Sequence, residues 1–219
     1  MNDGTVSDNS VAQAILAAGR EAAEAEANAV MAVAGQLDQS FVDCVSLIEN
    51  TTGKIIAFGS GTSGSVARRF AHLMSVSGTP AVFIHPMDAL HGTMGAIETD
   101  DLVFTFSKGG ESTEINNLCR KLKEKDITIV AVTESPESTM ARLANVVVKL
   151  HTAEGGDPGE VLAMASTLVA GVWGDALARV LMRKEHRTWA ETLWLHPAGA
   201  VGMMESVPEN PEPLQETEA

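Results

Sequence analysis

The chain has 219 residues, 45% of them hydrophobic and 20% charged, with a formal net charge of −14 at pH 7. That length suits one domain with a full core, or one domain plus tails. No run of Lys and Arg supplies the basic patch that a nucleic acid or an anionic membrane would need, so neither partner is expected. Phosphate stays open as a ligand, because backbone N–H groups and hydroxyls hold it without net positive charge. Aromatics make up only 4% and Tyr is absent, which leaves the core to aliphatic side chains, as in helices packed on a parallel sheet. Cys44 and Cys119 are far apart and in no metal-like spacing, so no disulfide framework and no metal are expected. The first ten residues are polar and acidic, unlike a signal peptide. The apolar stretches are too short or too interrupted to span a bilayer, and the expectation is a soluble, cytoplasmic protein.

Residues 8–35 are rich in Ala and Glu and place Val11, Ile15, Ala18 and Ala22 at helical spacing. Asp8 or Ser10 suits the start as a cap. A second helix is expected over about 37–49, and the leading helices read as an oligomer contact. Strands and helices then alternate. Strands are expected at 54–58 (KIIAF), 81–84 (AVFI), 101–107 (DLVFTFS), 127–133 (ITIVAVT) and 146–150 (VVVKL). Helices are expected over about 66–77, 116–125, 140–144 and 160–183. This alternation implies βαβ units, a parallel sheet and helices on both faces. The organisation is a helical arm over 1–36, an α/β domain over 37–203 and an acidic tail over 204–219. The tail carries Pro and Glu without apolar periodicity and is expected to be disordered.

Two loops follow strands, open helices and are built of small residues. The first is Gly59-Ser60-Gly61-Thr62-Ser63-Gly64, the second Ser107-Lys108-Gly109-Gly110-Glu111-Ser112-Thr113-Glu114. Glycines let the backbone approach a ligand closely, and hydroxyls with free N–H groups at a helix start suit phosphate. The dinucleotide reading of the first loop wants an acidic residue ending the second strand, where this chain has Ile84-His85-Pro86. A tight turn explains the first loop alone, and a capping box the second. Both at the carboxyl edge of one parallel sheet favour a phosphate pocket. Two further segments carry histidine, 85–92 (HPMDALHG) and 195–200 (LHPAGA), and histidine suits proton transfer near neutral pH.

The glycine-rich loop, SKGGES, HPMDALHG, ESPESTMARLANV and LHPAGAVG occur in the order found in SIS-domain (sugar isomerase) phosphosugar isomerases. The chain resembles that family over about 35–202, and within it the arabinose 5-phosphate isomerases. The resemblance implies an α/β three-layer sandwich with a five-stranded parallel sheet, flavodoxin-like, and sites built at subunit interfaces of a homodimer or homotetramer. It implies a sugar phosphate held by Gly61, Thr62, Ser63, Ser107, Lys108, Ser112, Ser166 and Thr167. It also implies proton shuttling by Glu111, His91, His196 and Glu154, the last matching only with a slip of one residue. The family usually has Lys where this chain has Thr62, and Ser-Asn-Ser-Gly-Glu where this chain has 107–111; Lys108 is a candidate to restore the missing cation. Many relatives carry CBS modules after the SIS domain, and this chain ends before their place.

Aldose–ketose isomerisation opens the sugar ring, removes a proton beside the carbonyl and returns it one carbon over, through an enediol. A carboxylate suits the base and imidazole the ring-opening step, with no cofactor required. Two alternatives stand beside this reading: a non-catalytic phosphosugar-binding SIS module, or an isomerase of hexulose or heptose phosphates.

Overall fold

The structure is a computed structural model describing residues 4–204 and 206–215. The side chain of Asp8, an expected cap, lies outside the described residues, as do positions 205 and 216–219 of the expected tail. Five strands form one parallel sheet: β1 (Ile55–Gly59), β2 (Ala81–Phe83), β3 (Leu102–Phe106), β4 (Thr128–Thr133) and β5 (Val146–Lys149). Their spatial order is β2-β1-β3-β4-β5, the flavodoxin-like winding that the resemblance implies.

The helices are α1 (Gly4–Met31), α2 (Gln39–Asn50), α3 (Gly61–Val76), α4 (Pro86–Leu90), α5 (Thr113–Lys123), α6 (Thr139–Leu143), α7 (Ala165–Lys184), α8 (Trp189–Leu195) and α9 (Gly199–Gly202). Each strand lies within one residue of its expected ends, because short aliphatic runs between turn residues leave little room for shift. The helix starts differ more. α3 begins at Gly61 rather than 66 and α5 at Thr113 rather than 116, so residues 61–64 of the first loop are already the first turn of α3, while the second loop stays non-helical up to Ser112. α7 starts at Ala165 rather than 160, because 155–164 is a turn with left-handed Gly155 and Gly159.

Alternate residues of each strand feed two cores. Ile55 and Ala57 of β1, with Phe104 and Phe106 of β3, pack with α3 and α7 through Phe70, Met74, Trp173 and Leu177. Ile56 and Phe58 point the other way and meet Ile115, Leu118 and Leu122 of α5 and Met140 of α6. The scarce aromatics gather in the first core: the Phe70 ring centre is 5.0 Å from that of Phe104 and 5.3 Å from that of Phe106. Ala29 of α1 and Val33 after it belong to this core too. Arg69 and Asp175 join α3 to α7 through two parallel bonds of 2.5 and 2.8 Å. One described helix, α7, is long and apolar enough to cross a membrane by length and composition, and its buried Trp173, Leu177 and Leu181 account for that apolarity. Residues 206–215 hold no helix or strand; Arg183 donates to the Glu212 carbonyl and the Trp189 indole to the Glu209 carbonyl.

In this winding the crossovers run in opposite directions on either side of the β1–β3 boundary. Gly59 pairs with Phe106 there, so the first turns of α3 and α5 start side by side at the carboxyl edge. That approach has no slack. A Cβ on Gly59 would stand 2.7 Å from the Ser63 carbonyl oxygen and 2.9 Å from that of Phe106. Gly59→Ala is expected to cost about 1–3 kcal/mol, read as a lower urea midpoint at unchanged slope. Gly109→Ala, where a Cβ meets nothing within 4 Å, is expected to stay within about 0.5 kcal/mol of wild type.

Candidate functional site

Three long helices aim their N-termini at the carboxyl edge. Neither Ser60 before α3 nor Ser112 before α5 caps its own helix through its side chain. The start of α7 is occupied instead: Asp157 Oδ1 accepts the N–H groups of Met164 (2.8 Å) and Ser166 (3.0 Å). Neither start is thus neutralised by an N-cap side chain, although Glu114 stands in the first turn of α5, and both present N–H groups toward the edge.

The second loop is braced from several sides. Gly110, at φ 65, donates its N–H to Ser107 Oγ (3.1 Å), and its carbonyl accepts from Asn116 Nδ2 (3.2 Å) and the Met140 N–H (3.0 Å). A Cβ at Gly110 would overlap the Ser138 side chain, so only glycine fits the turn. The Lys108 carbonyl accepts the Glu134 N–H (3.0 Å) and the Thr133 hydroxyl (2.9 Å), which pins the loop to the end of β4.

Beside these starts lies a cleft lined from α3, the β3–α5 loop, the end of β4 and the start of α7. Five of the expected binding residues line it: Ser63, Ser107, Lys108, Ser166 and Thr167. Gly61, Thr62 and Ser112 belong to the adjoining helix starts and do not line it. The cleft also holds Glu134, and Asp157 stands behind Lys108. Ser166 Oγ is buried beside the Asp157 carboxylate but outside hydrogen-bond geometry, and has no partner.

Lys108 Nζ lies 2.8 Å from Asp157 Oδ2, 3.4 Å from Glu160 Oε2 and 3.9 Å from Glu134 Oε2. Burial opposes the ammonium charge, and these carboxylates more than offset it, holding the Lys108 pKa above its usual value. Burial likewise pushes the Asp157 carboxyl up, but the Lys108 ammonium and the two N–H donors win and bring it to about 2.

The four expected catalytic residues do not line this cleft. Glu111 accepts the Thr139 N–H at 2.8 Å, and this bond, with the Thr139 hydroxyl, holds its exposed carboxyl below the usual range. Glu154 lies on the exposed turn between β5 and α7. His91 lines a separate open cleft with His85, Asp88 and Thr93. Its Nδ1 is 2.7 Å from the Met87 carbonyl oxygen. A carbonyl only accepts, so Nδ1 carries the proton and a neutral ring keeps its lone pair at Nε2. His196 ends α8, with a buried, unpartnered Nδ1.

Glu114 is a candidate that reading the sequence does not single out. It sits in the first turn of α5. The Ser60 hydroxyl of the first loop lies near its carboxyl, outside hydrogen-bond geometry, and lowers its pKa, helped by its own backbone N–H and by nearby His85. It belongs to the second loop and has its carboxyl near Ser60 of the first. The signal was there in the pairing of two small-residue loops, each opening a helix, but a Glu at this position reads equally as half of a capping box. Burial pushes both Cys44 and Cys119 up to about 12, so neither thiol is a nucleophile here.

Fold and site together define a flavodoxin-wound α/β domain with a polar cleft and two helix starts at its switch point. Residues 48–178 match the SIS domain family, and the chain belongs to it. It is 34% identical to the arabinose 5-phosphate isomerase KdsD of Pseudomonas aeruginosa over 81% of this chain and 54% of that protein. It is 31% identical to the arabinose 5-phosphate isomerase GutQ of Salmonella typhi over 88% of this chain and 60% of that protein. The chain thus spans little more than half the length of these curated relatives. Among solved structures, a protein of Escherichia coli CFT073 in complex with arabinose 5-phosphate superposes with a TM-score of 0.81 at 28% identity, over 84% of this chain and 98% of that one.

The depressed Asp157 carboxyl gives a signed prediction. Its folded pKa of about 2 lies below the unfolded value of about 3.9. Its contribution is therefore present above about pH 5 and lost as pH falls toward 2. The stability gap between wild type and Asp157→Asn is expected to narrow over that window in urea titrations at stepped pH.

Proposed function

We propose that this chain is a sugar-phosphate aldose–ketose isomerase, acting on arabinose 5-phosphate or a close pentose phosphate through an enediol. The observation that carries this is the pair of uncapped, hydroxyl-bearing helix starts at the switch point. The phosphate goes to the starts of α3 and α5, with Ser63, Ser107 and Ser112 as hydroxyl partners. The sugar chain lies along the cleft past Ser166 and Thr167. The two uncapped helix ends suit a dianion better than the cleft, whose carboxylates face Lys108.

Base duty falls to Glu114, with Glu111 and Glu154 as the other candidates. Glu114 is ionised at neutral pH and stands beside both loops. His91 and His196 serve ring opening and oxygen polarisation from a second copy of the chain, since neither lines the cleft of its own copy. Self-association as a homodimer or homotetramer goes with that arrangement. The exposed Val11, Ile15 and Leu16 on α1 offer an apolar contact for it. Sugar phosphates are made and held inside cells, so a cytoplasmic location follows from this substrate. A non-catalytic phosphosugar-binding module is the second reading, favoured by one observation: Thr62 stands where the family usually has Lys, and Lys108 is already engaged by carboxylates.

The test is incubation in D2O with pentose, hexose and heptose phosphates, followed by NMR. Deuterium at C1 or C2 of one sugar, with conversion to its 2-ketose, is the expected result. Glu114→Gln is expected to lower kcat by about 10²–10⁴-fold with KM little changed. Full turnover by Gln variants at 111, 114 and 154 would remove all three as the base. Binding without exchange at any sugar would favour the second reading.

A further inference from the structure

Asp157 has 1% of its side chain exposed, and each of its oxygens has a separate task. Oδ1 takes the first N–H groups of α7, and Oδ2 takes the Lys108 ammonium. Lys108 is itself pinned through its backbone to β4. The β3–α5 loop and the start of α7 are therefore joined across the cleft through one buried carboxylate. For Lys108 to swing to a phosphate, that carboxylate would have to stay buried without its counter-charge. Such an unpaired charge costs more than a partly exposed ion pair contributes. Just beyond the joint stands Ser166, a residue of the cleft wall that is 8% exposed and whose buried Oγ lacks a hydrogen-bond partner among the described residues.

Resting on the sugar-phosphate reading above, we propose that Lys108 and Asp157 form a positioning latch. It holds the start of α7, and with it the hydroxyls of Ser166 and Thr167, against the sugar chain. Lys108 is then not a phosphate ligand, and the cation usual in the family at the position of Thr62 is not replaced in kind. The role belongs to this chain's own departure from the usual loop: an Asn in place of Lys108 would have no charge to set against Asp157.

The full chain is compared as wild type, Lys108→Met, Lys108→Arg, Asp157→Asn and the double substitution K108M/D157N. Inorganic phosphate and arabinose 5-phosphate are titrated by NMR, and backbone hydrogen exchange of 164–167 is followed in the unliganded protein. For a latch, phosphate affinity changes less than about twofold throughout, while sugar-phosphate affinity falls about tenfold in each of K108M and D157N and no further in the double. K108R recovers most of the loss, and exchange at 164–167 rises about tenfold in K108M and D157N. Loss of inorganic phosphate binding in K108M, additive losses in the double variant, or unchanged exchange would each overturn the latch. If wild type binds no sugar phosphate, the functional reading fails, and the exchange data alone decide whether the latch exists.

Discussion

Parallel pairing of β1 with β3, Gly59 opposite Phe106, is the constraint on which the rest of the structure depends. The chain leaves β1 toward one edge of the sheet and leaves β3 toward the other. Two helices thus begin next to each other at the carboxyl edge. Glycine at 59 lets α3 close onto the strand ends. The braces on Gly110 hold the start of α5 in the same plane. With neither start capped by its own side chain, the edge carries partial positive charge in a protein of net charge −14. Binding an anion here needs no basic patch, because the donors are backbone groups fixed by the sheet.

The third helix start shows the opposite solution. Asp157 fills the N-terminus of α7 with the protein's own carboxylate, and Lys108 balances it. A buried charge is tolerated only where its donors converge, and here two N–H groups and one ammonium do so. Filling one start while leaving two open separates the edge into a region for an anion and a region lined by hydroxyls and carboxylates. That separation is what a molecule with a phosphate at one end and hydroxyls along its length would meet.

Much of the fold was legible in the sequence. Runs such as KIIAF and ITIVAV are short, aliphatic and bounded by turn residues, so their strand ends could be placed closely. The alternation with helices called for a parallel sheet. Helix starts were less legible: GSGTSG looks like a loop by composition, yet residues 61–64 are the first turn of α3, whereas GGEST stays a loop until Thr113 opens α5. Of the cleft, Ser63, Ser107 and Lys108 were readable as small or polar residues of the two loops, and Ser166 and Thr167 only through the family resemblance. Asp157 was not. In GGDPGE it looks like any turn aspartate, and only folding brings it to the Lys108 ammonium, 49 residues away in sequence.

The sequence by itself determined the layer architecture, the strand positions and the chemical character of the edge, because these follow from local periodicity and from residue types that act where they stand. Only the tertiary structure decided which helix start is filled and which are open, that Lys108 sets its charge against Asp157, and that Glu114 rather than Glu111 stands at the junction of the two loops. Those are distances between residues far apart in the chain. No pattern along the chain encodes them, since a carboxylate's partner is set by the register and winding of the sheet that carries both.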